Sequence, residues 1–157
     1  MESLSFPAKR YVVRYPGTTP PRYPGAHAEQ NILFSREKHI LIVDDDPFFR
    51  SLLKVMLGQT GWPIAVIREA EDSITAIKIA ETQPVDLVFC DLNLAKFQSE
   101  NGLEVIRELR STHPQIPIFM VSAENSEILV REIRAAGATG HLLKPINLRS
   151  LKSIFTC

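Results

Sequence analysis

From His39 to the end of the chain, five short, mainly apolar runs alternate with stretches whose apolar residues recur every three or four positions. The runs are Ile40–Val43, Ile64–Ile67, Val85–Cys90, Ile116–Val121 and His141–Leu143. A run without polar alternation reads as a strand buried on both faces, which parallel sheets covered by helices provide. Between the runs, Phe49, Leu52, Leu53, Met56 and Leu57 mark one face of a helix that Pro47 opens and Asp46 caps, and Gly58 and Gly61 end it. A second helix, with Ser73 as its expected cap, carries Ile74, Ile77 and Ala80; a third, after Gly102, carries Leu103, Ile106 and Leu109. Ile128, Leu129, Ile133 and Ala136 share a face of a fourth, closed by Gly137, and Asn147 caps a last one with Leu148, Leu151 and Phe155. Right-handed crossovers turn this alternation into an α/β, doubly wound, five-stranded parallel sheet between two helix layers.

The first 36 residues follow another rule. They hold all three tyrosines and five of the eleven prolines, and Arg-Tyr-Pro-Gly occurs at 14–17 and again at 22–25. Such a stretch resists regular helix, so residues 1–36 are expected to be extended or polyproline-like, either as a leader or as an arm that docks on a partner or on the domain itself. The domain proper is expected over 37–157. The whole chain of 157 residues is neutral, with 18 basic and 18 acidic side chains, which gives no global attraction to nucleic acid or to an anionic membrane. No apolar run is long enough to span a bilayer, and Lys9, Arg10 and Arg14 interrupt what would be the core of a signal peptide. Two cysteines, Cys90 inside an apolar run and Cys157 at the end, suit a reducing compartment without a disulfide framework.

In an open parallel sheet, ligands bind beyond the carboxyl ends of the strands. Those positions hold Asp44 and Asp45 after the first run, Asp91 with Asn93 after the third, Ser122 after the fourth and Lys144 after the fifth. Two carboxylates about 4 Å apart repel by roughly 4 kcal/mol at an effective dielectric of 20. One ammonium cannot balance three acids, but a divalent cation can, and an all-oxygen set suits Mg²⁺, with Mn²⁺ or Ca²⁺ as substitutes. Asp46 is set aside as the helix cap. A carboxylate nucleophile at Asp91, a hydroxyl at Ser122 and an ammonium at Lys144 are the parts phosphoryl transfer needs.

Four segments together, Ile-Leu-Ile-Val-Asp-Asp-Asp-Pro (40–47), Asp-Leu-Val-Phe-Cys-Asp-Leu-Asn (86–93), Pro-Ile-Phe-Met-Val-Ser-Ala (117–123) and Ala-Gly-Ala-Thr-Gly-His-Leu-Leu-Lys-Pro (136–145), resemble the receiver domain of two-component response regulators, including the chemotaxis regulators. The resemblance implies a flavodoxin-like (βα)5 three-layer sandwich. It implies that Asp91 is the phosphoacceptor, that Asp45, Asp91 and the Asn93 backbone carbonyl hold Mg²⁺ with Asp44 assisting, and that Ser122 and Lys144 contact the phosphoryl group. It implies Ser122 and His141 as switch residues, with His141 standing where the family usually has Tyr or Phe. A sensor histidine kinase or phosphotransfer protein would be the donor, in the cytoplasm. The readout would be a downstream effector or a second copy meeting the surface of the fourth and fifth helices and the fifth strand. The loop from Asp91 to Gly102 is longer than usual for the family, with Leu94-Ala95 in place of Met-Pro. Two rival readings are a pseudo-receiver that binds without phosphorylation and a Mg²⁺-dependent aspartyl-phosphate phosphatase. The phosphatase would need a second acid where Asn93 stands.

Overall fold

A computed structural model describes residues 37–94 and 101–154 in full and residues 12–14 as backbone. Its elements are β1 (Val12–Arg14), β2 (Lys38–Val43), α1 (Pro47–Gly58), β3 (Ile64–Ala70), α2 (Ser73–Thr82), β4 (Leu87–Asp91), α3 (Gly102–Thr112), β5 (Ile118–Ser122), α4 (Glu127–Ala136), β6 (Gly140–Leu143) and α5 (Leu148–Lys152). The sheet order is β1-β6-β5-β4-β2-β3. Strands β2 to β6 are mutually parallel, which is the expected doubly wound five-stranded arrangement. The chain winds outward from β2 to β3, returns past β2 to β4, and then continues to β5 and β6. The direction therefore reverses between β2 and β4, and a crevice opens there above the strand ends.

Strand alternation divides the core into two layers. Leu41, Val43, Val88, Cys90, Ile118 and Met120 point to the side packed by α2, α3 and α4. Ile40, Ile42, Phe89, Phe119, Val121 and Leu142 point to the other side, against α1 and α5. Every residue of β4 and β5 is buried, so the absence of polar alternation in those runs follows directly from their central place. Cys90 is a free, buried thiol whose ionisation burial opposes strongly, as for a small core residue.

Local signals set most of the element ends. Asp46 accepts from the Phe48 N–H at 2.9 Å and caps α1, a contact type worth about 1 kcal/mol. Gly137 closes α4 at φ 101°, a left-handed turn that favours glycine. Arg110, in the last turn of α3, donates to the Gly137 carbonyl from Nε at 3.0 Å and Nη2 at 2.8 Å, tying the ends of the two helices together.

The structure also moves several expected boundaries. Asp72, not Ser73, caps α2: its backbone is extended, and its carboxylate accepts from the Thr75 N–H at 2.7 Å. Strand β3 runs on to Ala70, because Arg68 and Glu69 lie on an outer strand where polar side chains reach solvent. Pro117 precedes β5, as its missing N–H requires of a central strand. The last helix is five residues long in the described part, and Phe155 lies outside the described residues. Finally, Val12–Arg14 forms a sixth strand, antiparallel on β6. The β-branched pair Val12-Val13 between Tyr11 and Tyr15 was the available signal, against the prolines that dominate the segment.

Candidate functional site

Strands β2, β4, β5 and β6 deliver polar groups to the crevice because the register aligns their ends. Val43 pairs with Cys90, so Asp44 and Asp91 leave neighbouring strands at the same level; Asp91 pairs with Val121, which puts Ser122 one residue beyond. Ser122 pairs with Leu143, and Lys144 follows. Asp44, Asp45 and Asp91 each offer an oxygen within 4.8 Å of the others. Lys144 Nζ lies 3.1 Å from Asp91 Oδ1 and 3.3 Å from Asp44 Oδ2. Asp46 stays out of this cluster: its side chain caps α1, and its N–H donates to Asp44 Oδ1 at 2.8 Å.

The cluster is crowded with charge in a poorly solvated place. Asp91 is pushed up to about 6, first by burial and then by Asp44, with Lys144 opposing. Asp44 is raised as well, chiefly by burial, against the Asp46 amide and Lys144. Burial alone would lower Lys144, but Asp91 and Asp44 outweigh it and keep the ammonium charged.

Three acidic oxygens within reach of one point fit a small hard cation with oxygen ligands. A fourth ligand is compatible with the backbone. Asn93 bridges Asn101 in antiparallel fashion, but the hydrogen bond there runs from Gly102 N to the Leu92 carbonyl at 2.9 Å and does not use the Asn93 carbonyl. The same bridge closes the base of the long loop, and Leu94 is fully buried there; residues 95–100 lie outside the described residues.

Two expected residues sit near the cluster without joining it. The Ser122 hydroxyl donates to the Glu124 carbonyl at 2.7 Å and accepts from the Glu124 N–H at 2.9 Å, so it is engaged in its own turn. His141 pairs with Met120 in register, and since Leu142 faces α1 and α5, alternation turns His141 toward the α4 side. It is 2% exposed, and its Nε2 has no hydrogen-bond partner among the described residues.

Burial holds the His141 imidazole below its ordinary value of 6.5. The fold therefore favours the neutral ring, and that preference is fully expressed above pH 6.5 and lost as pH falls through and below it. His141→Phe removes both the unpartnered nitrogen and this dependence. Its melting temperature, followed by circular dichroism, is expected to drop less than wild type's between pH 8 and pH 5.5. At pH 8 the variant is expected to gain about 1 kcal/mol. Parallel curves would refute it.

Sequence reading missed three neighbours of the site. Phe49, read as part of an apolar helix face, places its ring 4.1 Å from Lys144 Nζ, a cation–π contact that holds the ammonium over the acids. Arg50 donates from Nη1 to the Asp44 carbonyl at 2.7 Å and from Nε to Glu69 at 3.1 Å, fixing the end of β2. Gly102 packs against the Asp91 backbone so closely that a Cβ there would meet the Asp91 carbonyl oxygen at 2.1 Å. Only a glycine directly after the long loop hinted at the last of these.

Residues 40–156 match the family model described as the response regulator receiver domain. The chain is 36% identical over 115 residues to the transcriptional regulatory protein CpxR of Klebsiella pneumoniae, covering 71% of this chain and 45% of that protein. The chain spans about a quarter to a half of the length of the curated relatives it matches. Among solved structures it is similar to the chemotaxis response regulator CheY4 of Vibrio cholerae, at 29% identity and a TM-score of 0.65, with 76% of this chain and 97% of that one covered. A response regulator protein of Burkholderia pseudomallei, solved with a phosphorylated aspartic acid, a calcium ion and citrate, superposes with a TM-score of 0.66 at 27% identity, covering 76% and 67% of the two chains.

Proposed function

Because this chain belongs to the response regulator receiver domain family, we propose that it is a phosphorylation-activated switch whose acceptor is Asp91. The observation that carries the reading is the buried cluster itself: Asp91 lies beside Asp44 and Asp45 within 4.8 Å and under Lys144 at 3.1 Å.

An Asp91 carboxylate oxygen attacks phosphorus of a phosphohistidine on a sensor kinase or phosphotransfer protein. The new P–O bond makes an acyl phosphate, the P–N bond breaks, and the leaving imidazole takes a proton from solvent. Lys144 already touches Asp91 and needs no large movement to pair with a phosphoryl oxygen. Ser122 must leave the Glu124 peptide to donate to another, so its rotation is coupled to phosphorylation. Asp44, Asp45, Asp91 and the Asn93 carbonyl would hold the cation. When bound, Mg²⁺, or Mn²⁺ or Ca²⁺ in its place, supplies positive charge that offsets the acids and the transferred group.

The donor's docking place adjoins the cluster. An open groove of about 410 Å³ runs between α1 and the segment after β6, lined by Phe49, Leu52, Met56, Lys144, Pro145 and Ile146. Phe48 and Val55 stand exposed on the same helix. An apolar face of a partner helix fits there with its phosphorylated side chain over Asp91. The readout surface is the α4–β6–α5 side, where Arg131, Glu132, Arg134, Arg149 and Lys152 supply charges for an effector or a second copy. No described helix is long and apolar enough to cross a membrane.

Acetyl phosphate with Mg²⁺ tests the reading directly. Intact-mass spectrometry is expected to show one added phosphoryl group per chain, absent when EDTA replaces the metal and released at alkaline pH as an acyl phosphate is. An inert wild-type protein would overturn the assignment.

A further inference from the structure

The two ends of the parallel sheet are built differently. Outer strand β3 is partly open to solvent, with Val66 40% exposed. Strand β6 would be the opposite edge of the five parallel strands, yet Gly140, His141 and Leu142 are all buried. An uncovered edge strand would present unpaired amides and carbonyls there. Instead, β1 pairs with it, Val12 opposite Leu142, Val13 opposite His141 and Arg14 opposite Gly140.

The direction of each peptide group fixes which rung matters. The Lys144 N–H donates to the Ser122 carbonyl at 2.8 Å, so Lys144 points toward β5. Successive residues alternate, and His141 therefore turns its N–H and C=O away from β5 and toward Val13. In an antiparallel pair, opposite residues that face each other exchange both hydrogen bonds. Val13 and His141 form that closed rung, whereas Val12 turns its N–H away from β6.

The connection is short enough to stay within one chain. Because β1 is antiparallel to β6, Arg14 ends beside the start of β6, at the same end of the sheet where Lys38 starts β2. Four strand spacings separate β1 from β2, about 19 Å. The 23 residues between Arg14 and Lys38 reach much further than that. A tether of this length gives a weak strand an effective concentration near the millimolar range.

We propose that the outer edge of β6 is a strand-addition site filled in cis by Val12–Arg14, so that the N-terminal segment latches the α4–β6–α5 side of the domain. A partner adding a strand to β6, or a second copy packing through that border, must first displace the segment. The latch itself is independent of phosphorylation. Its meaning as a control on readout rests on the function proposed above: Leu143 pairs with Ser122 and leads into Lys144, so β6 is the ribbon joining the acid cluster to β1.

Amide hydrogen exchange in the full, metal-free chain tests it by NMR. The His141 amide is expected to exchange at least tenfold more slowly in wild type than in Val13→Pro, which removes the rung's donor. Val12→Pro, whose lost N–H faces away from β6, is expected to behave as wild type. Unchanged protection of β4 amides in both variants shows that the sheet is folded. Equal His141 exchange in wild type and Val13→Pro overturns the proposal. Protection that rises with protein concentration also overturns it, since the strand would then come from a second copy. Neither readout uses phosphate or Mg²⁺, so failure to phosphorylate Asp91 would leave the result interpretable.

Discussion

Asp91→Asn is expected to take up no phosphoryl group from acetyl phosphate and, with metal chelated at pH 8, to melt several degrees above wild type. The first outcome follows from loss of the proposed nucleophile. The second follows from the crowding at the crevice. In the folded protein the Asp91 carboxyl is pushed up to about 6 from an ordinary 3.8, first by burial, then by Asp44, with Lys144 opposing. A raised carboxyl pKa means that the fold favours the protonated form. The contribution to stability is complete below the ordinary value and is lost as pH rises through about 6. A shift of that size, moderated by coupling to Asp44, costs on the order of 2 kcal/mol at pH 8. The amide keeps the shape, removes the charge and leaves Lys144 paired with Asp44. Wild type and variant are therefore expected to converge near pH 4, and Mg²⁺ is expected to stabilise wild type far more than the variant. A variant less stable than wild type in metal-free buffer at pH 8 would contradict this account of the acids.

Gly102→Ala is expected to destabilise by about 2–4 kcal/mol, near the upper end for a single added methyl group. An added Cβ would lie 2.1 Å from the Asp91 carbonyl oxygen, 3.0 Å from its carbonyl carbon and 3.1 Å from Leu92 Cα. All three are backbone atoms, and rotamer changes cannot relieve the overlap. The start of α3 or the end of β4 must move, and the end of β4 carries Asp91, the proposed acceptor. Phosphorylation by acetyl phosphate is expected to slow at least tenfold even where the variant remains folded. Gly58→Ala is the matched control. Beyond its chain neighbours and its own helix backbone, no atom of the described residues lies within 4 Å of its added Cβ, and it sits in the last turn of α1, so it is expected to be neutral or to stabilise by up to about 1 kcal/mol. Urea unfolding of the two variants separates these outcomes, and a Gly102→Ala protein as stable as wild type would show that the loop beyond Asp91 yields freely.

The candidate site was legible to different depths. Asp44, Asp45, Asp91 and Lys144 follow apolar runs in a repeated order, and parallel pairing brings strand ends together whatever the loops between them do. Asp46 was separable from its neighbours because Pro47 announces a helix start. By contrast, Phe49 looks the same in sequence whether it fills a core or covers a lysine. Ser122 likewise gives no sign that its hydroxyl both donates to and accepts from the Glu124 backbone. His141 was visible as an unusual aromatic substitute, but its unpartnered nitrogen depends on what packs over it.

The sequence by itself determined the alternation of strand and helix, the caps at Asp46 and Asn147, the turn at Gly137 and the set of acids at the strand ends. Those features arise from neighbours a few residues apart, where dihedral preference, capping and apolar period act directly. Tertiary structure alone decided that Lys144 reaches Asp44 across 100 positions, that Gly102 lies under the Asp91 backbone, and that Val12–Arg14 lies on β6. These contacts depend on crossover connections and on which edge amides remain to be paired, and both are set only when the whole sheet is assembled.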